Sequence, residues 1–325
     1  MKPENVLIHI GLHKTGTTWL QNEVFASDSD IFEPLSPPGK FRKHSTLAKD
    51  FVFDNDLNLL NSFDDNEAQI KRELKAILDS KANNNKIWVM SHERLSGYPS
   101  SSAFDASIIA RRIHKIFPNG KILIMIREQQ SWLLSNYFQY LKEGGTLSLK
   151  KYLHTSYDGR IPGFSLNYLK YHHIIEGYQN RFGKDNVLVL PYELLIRDKD
   201  LFTKSLGEFV NADIKLPKEK FDKQYNLKDN HYVNYKFRWL NNYTNSSSSL
   251  NSSSGKRLYR LKLIALRTKS VLNRIFPKRY NERLKERFRK EIAAWASNKF
   301  ETSNTLTSNL TDIDLQSLGY RTSIE

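Results

Sequence analysis

Near its N-terminus the chain reads Val6-Leu7-Ile8-His9-Ile10-Gly11-Leu12-His13-Lys14-Thr15-Gly16-Thr17-Thr18-Trp19. The short apolar run at 6–10 ends in glycine, which predicts a buried strand. From Gly16 to Phe25 the apolar residues fall at helical spacing, which predicts a helix. A glycine-bounded loop therefore joins a strand to a helix. The backbone N–H groups of such a loop favour bound anions.

The same alternation continues along the chain. Further strands are predicted at 86–90, 121–126 and 187–190, and helices at 67–78, 108–117, 131–141, 168–182 and 201–209. Segment 28–65 is predicted to be irregular. Strands that alternate with helices indicate an α/β fold, here a P-loop-like, mostly parallel sheet flanked by helices. Ligands of such sheets bind at the carboxyl ends of the strands. The residues predicted there are Gly11, Ser91 to Glu93, Arg127 and Tyr192.

The pattern changes in the C-terminal third. Segments 231–243 and 256–299 are predicted to be helical and are strongly basic, whereas 244–254 is nearly pure serine and asparagine and predicts a flexible loop. We predict a single domain over 1–325, with a core at 5–212 and a basic helical C-terminal region and tail at 213–325.

Composition limits the class of protein. The 325 residues include 50 Lys and Arg against 35 Asp and Glu, and the net charge of +15 attracts nucleic acid, anionic membranes, acidic glycans or phosphorylated nucleotides. The absence of cysteine excludes disulfides, thiolate metal sites and cysteine nucleophiles. Neither a signal peptide nor an apolar run of about 20 residues that could span a bilayer is visible. We therefore expect a soluble, cytoplasmic protein.

The loop has the spacing of a P-loop, Gly11-x4-Gly16-Thr17-Thr18, but Thr17 stands where a Walker A loop carries its lysine. Lys14 lies inside the loop instead, where it is predicted to reach the bridging oxygen of an anhydride. The strand ends offer no acidic residue suited to magnesium. These features disfavour a metal-dependent kinase and predict no metal site. For the loop taken alone, an ordinary strand–helix turn is the alternative.

Residues 13–19 resemble the 5′-phosphosulfate loop of sulfotransferases that use 3′-phosphoadenylyl sulfate (PAPS), with histidine in place of the common proline. A second signature of that family is an arginine at the end of a central strand and a serine eight residues on, here Arg127 and Ser135. The resemblance covers most of 5–212, and Tyr192 matches a weaker nucleotide-side motif. It implies that PAPS is the cofactor. The residues implied to bind it are Lys14, Thr15, Gly16, Thr17, Thr18, Trp19, Arg127, Ser135 and Tyr192.

The resemblance also implies a catalytic Lys14, which neutralises the leaving group, and a general base in the segment after the second predicted strand. Glu93 is the first choice for that base, His92 the second, and His44, in the irregular segment, the third. For each of the three, a solvated surface side chain is the alternative.

The resemblance implies transfer of the sulfuryl group to a hydroxyl or amine. The positive charge predicts that this group belongs to a carbohydrate or glycolipid, with peripheral membrane contact through the basic helices as a further expectation and a solvated basic face as the alternative. A P-loop kinase and a basic nucleic-acid-binding module are the rival hypotheses. The first predicts magnesium dependence, and the second predicts salt-sensitive binding to DNA or RNA. The chain carries no recognised nucleic-acid motif, so no nucleic-acid partner is expected.

Overall fold

The computed structural model describes residues 5–26, 29–35, 62–80, 85–99, 102–154, 164–222, 231–241, 264, 267–268, 271–272, 276–277 and 279–323. Among them the chain separates into two compact units. The first contains the described residues of 1–128, 157–225 and 299–325, and the second those of 129–156 and 226–298. No helix among the described residues has the length and apolar content to cross a bilayer.

The first unit is built on a parallel sheet. Its strands are β1 (Val6–His9), β2 (Phe32–Pro34), β3 (Ile87–Ser91), β4 (Lys121–Ile126) and β5 (Val187–Pro191), in the order β2-β3-β1-β4-β5. Every neighbouring pair is parallel. The predicted α/β fold with a mostly parallel sheet is thereby confirmed, and the central position of β1 and β4 places the loop after β1 beside the end of β4.

The helices follow the strands as the sequence predicts. They are α1 (Thr17–Trp19), α2 (Ser62–Ser80), α3 (Ala106–Ile116), α4 (Gln129–Lys142), α5 (Leu149–Leu153), α6 (Tyr171–Phe182), α7 (Tyr192–Arg197), α8 (Lys199–Val210), α9 (Lys218–Asp222), α10 (His231–Lys236), α11 (Arg279–Ala296) and α12 (Glu301–Thr311). Short 3₁₀ turns cover Glu93–Ser96, Leu166–Leu169, Lys184–Asn186 and Arg238–Leu240.

Alternation along the strands divides the core between two faces of the sheet. Leu123 and Met125 of β4 pack on one face with Phe202 and Leu206 of α8 and with Trp19. Because successive side chains of a strand point to opposite faces, the intervening isoleucines of β4 face the other side. There α6 packs against β4 and β5. Both faces are covered, which explains why the strands are continuously apolar.

Three predicted elements differ in detail. The irregular segment contains β2, which pairs only with β3 among the described residues and holds Pro34 at the sheet edge, where proline is tolerated. The helix predicted from Gly16 is α-helical only over α1 and continues as a π-helical turn at Leu20–Val24. This wider turn buries Leu20, Val24 and Phe25 together. The helix predicted from Tyr168 begins at Tyr171, after a 3₁₀ turn.

The second unit is a helical cluster with an aromatic core. Phe138 of α4 stacks on His231 at 4.1 Å between ring centroids, and Tyr137 meets Phe288 of α11 edge-on at 5.6 Å. Asn241 is buried and donates from Nδ2 to the carbonyl of Leu141 at 3.1 Å. Of the basic helix predicted over 256–299, the structure describes helical residues at 264, 267–268 and 271–272, non-helical backbone at 276–277, and α11. The predicted flexible loop at 244–254 lies outside the described residues.

Candidate active site

The loop after β1 turns through two left-handed residues. Lys14 has φ 66° and Gly16 has φ 92°. Gly16 precedes α1 and accepts the backbone N–H groups of Trp19 and Leu20 through its carbonyl. A Cβ on Gly16 would lie 3.3 Å from the ring of Tyr192, so the loop and the start of α7 are in close contact. Glycine therefore meets both the backbone and the packing requirement at this position.

The threonine hydroxyls of the loop differ in burial and in hydrogen bonding. Thr15 is fully buried and donates to the carbonyl of Leu12, which braces the turn from inside. Thr18 is exposed, whereas Thr17 is buried and its Oγ1 has no hydrogen-bond partner among the described residues. Trp19 donates from Nε1 to the carbonyl of Lys220 at 3.0 Å and packs into the core. Trp19 thus holds the loop on the sheet.

Arg127, the residue that follows β4, reaches the loop directly. Its Nη1 donates to the carbonyl of Lys14 at 2.9 Å, and its guanidinium carbon lies 4.8 Å from the ring centroid of Tyr192. Its Nε is buried and has no partner among the described residues. The backbone of Arg127 is fixed as well, because Tyr171 donates to its carbonyl at 2.5 Å. The predicted residues Lys14, Arg127 and Tyr192 therefore lie together.

The partly buried carboxylate of Glu193 supports this arrangement. Glu193, at the start of α7, accepts the backbone N–H of Glu128 at 3.1 Å and the hydroxyl of Tyr320 at 2.8 Å. Burial raises the pKa of Glu193, and the hydrogen bonds and the charge of Arg127 partly oppose that rise. The C-terminal tail therefore takes part in fixing the end of β4.

The segment after β3 lies beside the loop. His92 accepts the backbone N–H of Arg94 through Nδ1 at 3.0 Å and so caps the 3₁₀ turn at Glu93–Ser96. Arg94 pairs with Asp105 at 2.8 Å. The side chain of Glu93 makes no hydrogen bond or ion pair with the described residues, and its charge acts on His13. The carboxylate of Glu93 is thus placed near the loop without a structural partner.

His13 occupies the position before Lys14. Desolvation lowers the pKa of His13 to about 4, and Glu93 opposes this while Arg94 and Lys14 reinforce it. The hydroxyl of Tyr168 lies 3.5 Å from His13 Nδ1 and 3.3 Å from Ser96 Oγ. His13 is therefore a neutral imidazole near physiological pH, held between the loop and the segment after β3.

Two predicted site residues remain, Ser135 and His44. Ser135 lies in α4 and belongs to the second unit, where it is partly exposed, and its shared role with Arg127 stays a prediction. His44 lies outside the described residues.

A family model described as a sulfotransferase domain matches residues 3–295, most of the chain. The chain belongs to the sulfotransferase family. The comparison with curated proteins gave no match. The predicted family is thus confirmed, and this sulfotransferase is a transferase enzyme.

Three solved structures that are similar to this sulfotransferase are sulfotransferases or a sulfotransferase domain. One from Alicyclobacillus acidocaldarius is 18% identical, with a TM-score of 0.47, over 73% of this chain and 93% of that chain. The sulfotransferase domain from the curacin biosynthetic pathway is 13% identical, with a TM-score of 0.41, over 81% and 98%. A mouse sulfotransferase complexed with PAP is 12% identical, with a TM-score of 0.37, over 95% and 90%.

One residue and two contacts of this site were not predicted from the sequence. His13 was noted only as a replacement for proline, although its place next to Lys14 made it a visible candidate. The pairing of Glu193 with Tyr320 joins residues 127 positions apart, and that of Arg127 with the Lys14 carbonyl joins residues 113 apart. No local pattern signals such contacts.

Proposed function

We propose that this sulfotransferase takes its sulfuryl group from PAPS and transfers it to a hydroxyl or amine of a carbohydrate or glycolipid. The observation that carries the proposal is the hydrogen bond from Arg127 to the Lys14 carbonyl at 2.9 Å. It joins the residue assigned to the 3′-phosphate with the loop assigned to the 5′-phosphosulfate. A nucleotide that carries a 3′-phosphate and a 5′-phosphosulfate matches both Arg127 and the loop.

The donor set fits such a nucleotide. Thr17 Oγ1 and Arg127 Nε are buried and unpartnered among the described residues. Leaving a buried donor unsatisfied costs about 1–3 kcal/mol, so a bound ligand that supplies acceptors is favoured. Phosphate oxygens are such acceptors, and a guanidinium presents its donors in a planar fork suited to them. Tyr192, under the Arg127 guanidinium, is proposed to contact the same nucleotide.

When bound, PAPS supplies an activated sulfuryl group on a phosphate leaving group. The side chain of Lys14 is proposed to neutralise the negative charge that develops on that leaving group, an effect that typically lowers a barrier by several kcal/mol. Backbone N–H groups of the loop at 14–18 are proposed to orient the phosphosulfate. Ser135 and Arg127 are proposed to hold the 3′-phosphate, and Thr15, Gly16, Thr18 and Trp19 to shape the loop.

Glu93 is proposed to be the general base that takes the proton of the acceptor. Its carboxylate has no structural partner among the described residues and lies close enough to act on His13. His92 fits the role less well, because its Nδ1 lone pair accepts the Arg94 backbone N–H. In a neutral imidazole the hydrogen is then on Nε2, which leaves no lone pair for a proton.

The acceptor is proposed to be acidic because the chain carries a net charge of +15. The helix α11 contains six basic and three acidic side chains. Arg287 pairs with Glu291, and Lys290 pairs with Glu286. Part of the basic charge of this helix is therefore neutralised within it. The same positive surface is proposed to allow peripheral contact with an anionic membrane. Transfer from radiolabelled PAPS to acidic and neutral glycans of equal length would compare these acceptors.

Thermal unfolding with 3′,5′-ADP and with 5′-ADP tests the donor. At roughly 100 times its Kd a ligand stabilises a protein by about 2.7 kcal/mol. We expect 3′,5′-ADP alone to raise the Tm, and Arg127→Ala to abolish the rise. Arg181→Ala is the matched control, because Arg181 also donates to a backbone carbonyl, that of Gly177, but on an exposed helix surface. Equal stabilisation by both nucleotides with a requirement for magnesium would instead support the kinase.

A further inference from the structure

A buried polar cluster lies behind the loop, at the ends of β1 and β3. His9 and Ser91, the last residues of these strands, are paired in register and are almost completely buried. His9 Nδ1 lies 2.7 Å from Ser91 Oγ. Gln21 donates from Nε2 to the carbonyl of Ser91 at 3.0 Å and to its Oγ at 3.2 Å. An imidazole in this position is unusual, since an apolar side chain would fill the space without a polar cost.

The hydrogen bonds of the cluster define the tautomer of His9. The hydroxyl of Ser91 has one hydrogen, and its oxygen already accepts from Gln21. Among the described residues His9 Nδ1 is the acceptor within reach of that hydrogen. His9 therefore accepts at Nδ1 and carries its own hydrogen on Nε2. Burial lowers the pKa of His9 to about 3, so the ring is neutral at physiological pH.

Nε2 of His9 faces the hydroxyl of Thr17 across Gly11. A Cβ on Gly11 would lie 2.5 Å from His9 Nε2 and 2.4 Å from Thr17 Oγ1, so both atoms border the same small space. Neither atom has a hydrogen-bond partner among the described residues. A buried donor and a buried hydroxyl, each without a hydrogen-bond partner among the described residues, thus border one small space directly behind the loop.

We propose that His9 is a positioning residue for the anion site of the loop: when the phosphosulfate binds, His9 Nε2–H donates to Thr17 Oγ1, a hydrogen bond that the structure does not contain, and directs the Thr17 hydroxyl hydrogen toward the ligand. This inference rests on the proposed function. A ligand that accepts from Thr17 leaves the threonine oxygen to accept from His9, so one binding event satisfies both groups. If the hydroxyl hydrogen of Thr17 pointed at His9 instead, it would approach the hydrogen on His9 Nε2. The tautomer therefore specifies the orientation of the hydroxyl.

Two substitutions test the roles of the two ring nitrogens of His9 separately. The amide of asparagine reaches the position of Nδ1, so His9→Asn keeps the contact with Ser91 and loses the donor to Thr17. The longer side chain of His9→Gln places an amide N–H near the position of Nε2. We expect His9→Asn to weaken the binding of 3′,5′-ADP, measured by calorimetry, roughly fivefold to tenfold, as for the loss of one hydrogen bond. His9→Gln should stay within about threefold of the wild type.

A double-mutant cycle with Thr17→Val distinguishes positioning from a general structural effect. If His9 acts through the Thr17 hydroxyl, adding His9→Asn to Thr17→Val should weaken binding no further. Losses that multiply, or a His9→Gln variant that binds as weakly as His9→Asn, would overturn the inference. If His9→Asn does not fold, Ser91→Ala is the alternative, because it removes the hydroxyl that fixes the tautomer of His9. We expect Ser91→Ala to weaken 3′,5′-ADP binding by the same several-fold factor, and to have no effect on binding in the Thr17→Val background.

The wild-type titration separates this inference from the function on which it rests. If the wild type binds 3′,5′-ADP and His9→Asn binds it equally well, His9 has no positioning role and the proposed function stands. If the wild type itself does not bind 3′,5′-ADP, the proposed function fails and the inference fails with it.

Discussion

The hydroxyl of Tyr320 donates to Glu193 Oε2 at 2.8 Å, and the other carboxylate oxygen of Glu193 accepts the backbone N–H of Glu128 at 3.1 Å. Tyr320 is almost fully buried, so the bond is shielded from water. The residue before Glu128 is Arg127, which contacts the loop. The C-terminal tail is thereby linked, through one carboxylate, to the strand end that carries the proposed 3′-phosphate site.

Tyr320→Phe is expected to destabilise the protein by about 1–3 kcal/mol, because it leaves a partly buried carboxylate oxygen without its donor. Urea unfolding at neutral pH measures this. Tyr178→Phe is the matched control, since Tyr178 is an equally buried tyrosine whose hydroxyl has no partner among the described residues. Removal of the Tyr178 hydroxyl should leave the free energy of unfolding unchanged. Equal destabilisation by both substitutions would show that the Tyr320 hydroxyl contributes nothing through Glu193.

The cost of Tyr320→Phe should also depend on pH. Burial raises the pKa of Glu193, so between its ordinary value and the raised one the folded protein holds a proton that the unfolded chain has released. Stability contributed by this group is therefore lost as pH rises through that window. Removing the Tyr320 donor raises the pKa further, so the penalty should grow from acidic to neutral pH. A penalty that is constant with pH would contradict this account.

Gly11→Ala is expected to destabilise the protein and to weaken nucleotide binding. The added methyl would lie 2.4 Å from Thr17 Oγ1 and 2.5 Å from His9 Nε2, and overpacking of this kind costs about 1–3 kcal/mol. Gly177→Ala in α6 is the control, because the added methyl would lie 3.7 Å from Arg181 Nη1, at ordinary van der Waals distance. That substitution should stabilise by about 0.5–1 kcal/mol. Thermal unfolding with and without 3′,5′-ADP measures both.

Acid sensitivity is expected from the buried histidines. The pKa of His9 is lowered to about 3, whereas that of an unfolded histidine is about 6.5. Between these two pKa values the histidine binds a proton in the unfolded chain but not in the folded protein, so stability falls as pH decreases from 6.5 toward 3. His9→Gln should flatten this fall, while His154→Gln, at an exposed position, should not. Urea unfolding at pH 7 and pH 5 compares them, and parallel slopes would refute the assignment.

The fold could be predicted because strands buried on both faces are continuously apolar. The strand predicted at Lys121 to Ile126 agrees with β4 at both ends. The strand β2 was missed because it has three residues, one of them Glu33, and lies at the sheet edge, where pairing to β3 rather than composition makes it a strand. Hydrophobic pattern carries no information about such pairing.

The site was predictable only in part. Lys14 and Arg127 are visible because the anion loop and the strand end are local patterns, and the structure brings them together. The contacts that position them are long-range, and they involve ordinary residues such as Glu193 and Tyr320 whose role depends on burial. His92 is a similar case. Its Nδ1 caps a 3₁₀ turn, and only coordinates show which lone pair that cap uses.

The general base can be identified by a pair of neighbouring substitutions. Glu93→Gln is nearly isosteric and should lower kcat by about 10²–10⁴, the usual contribution of a positioned base. Its affinity for 3′,5′-ADP should not change, since Glu93 acts on the acceptor. His92→Asn keeps a side chain suited to capping the turn, so kcat should fall at most a few-fold. A loss of kcat in His92→Asn with full activity in Glu93→Gln would reverse the assignment, and similar losses in both would point to a shared structural effect.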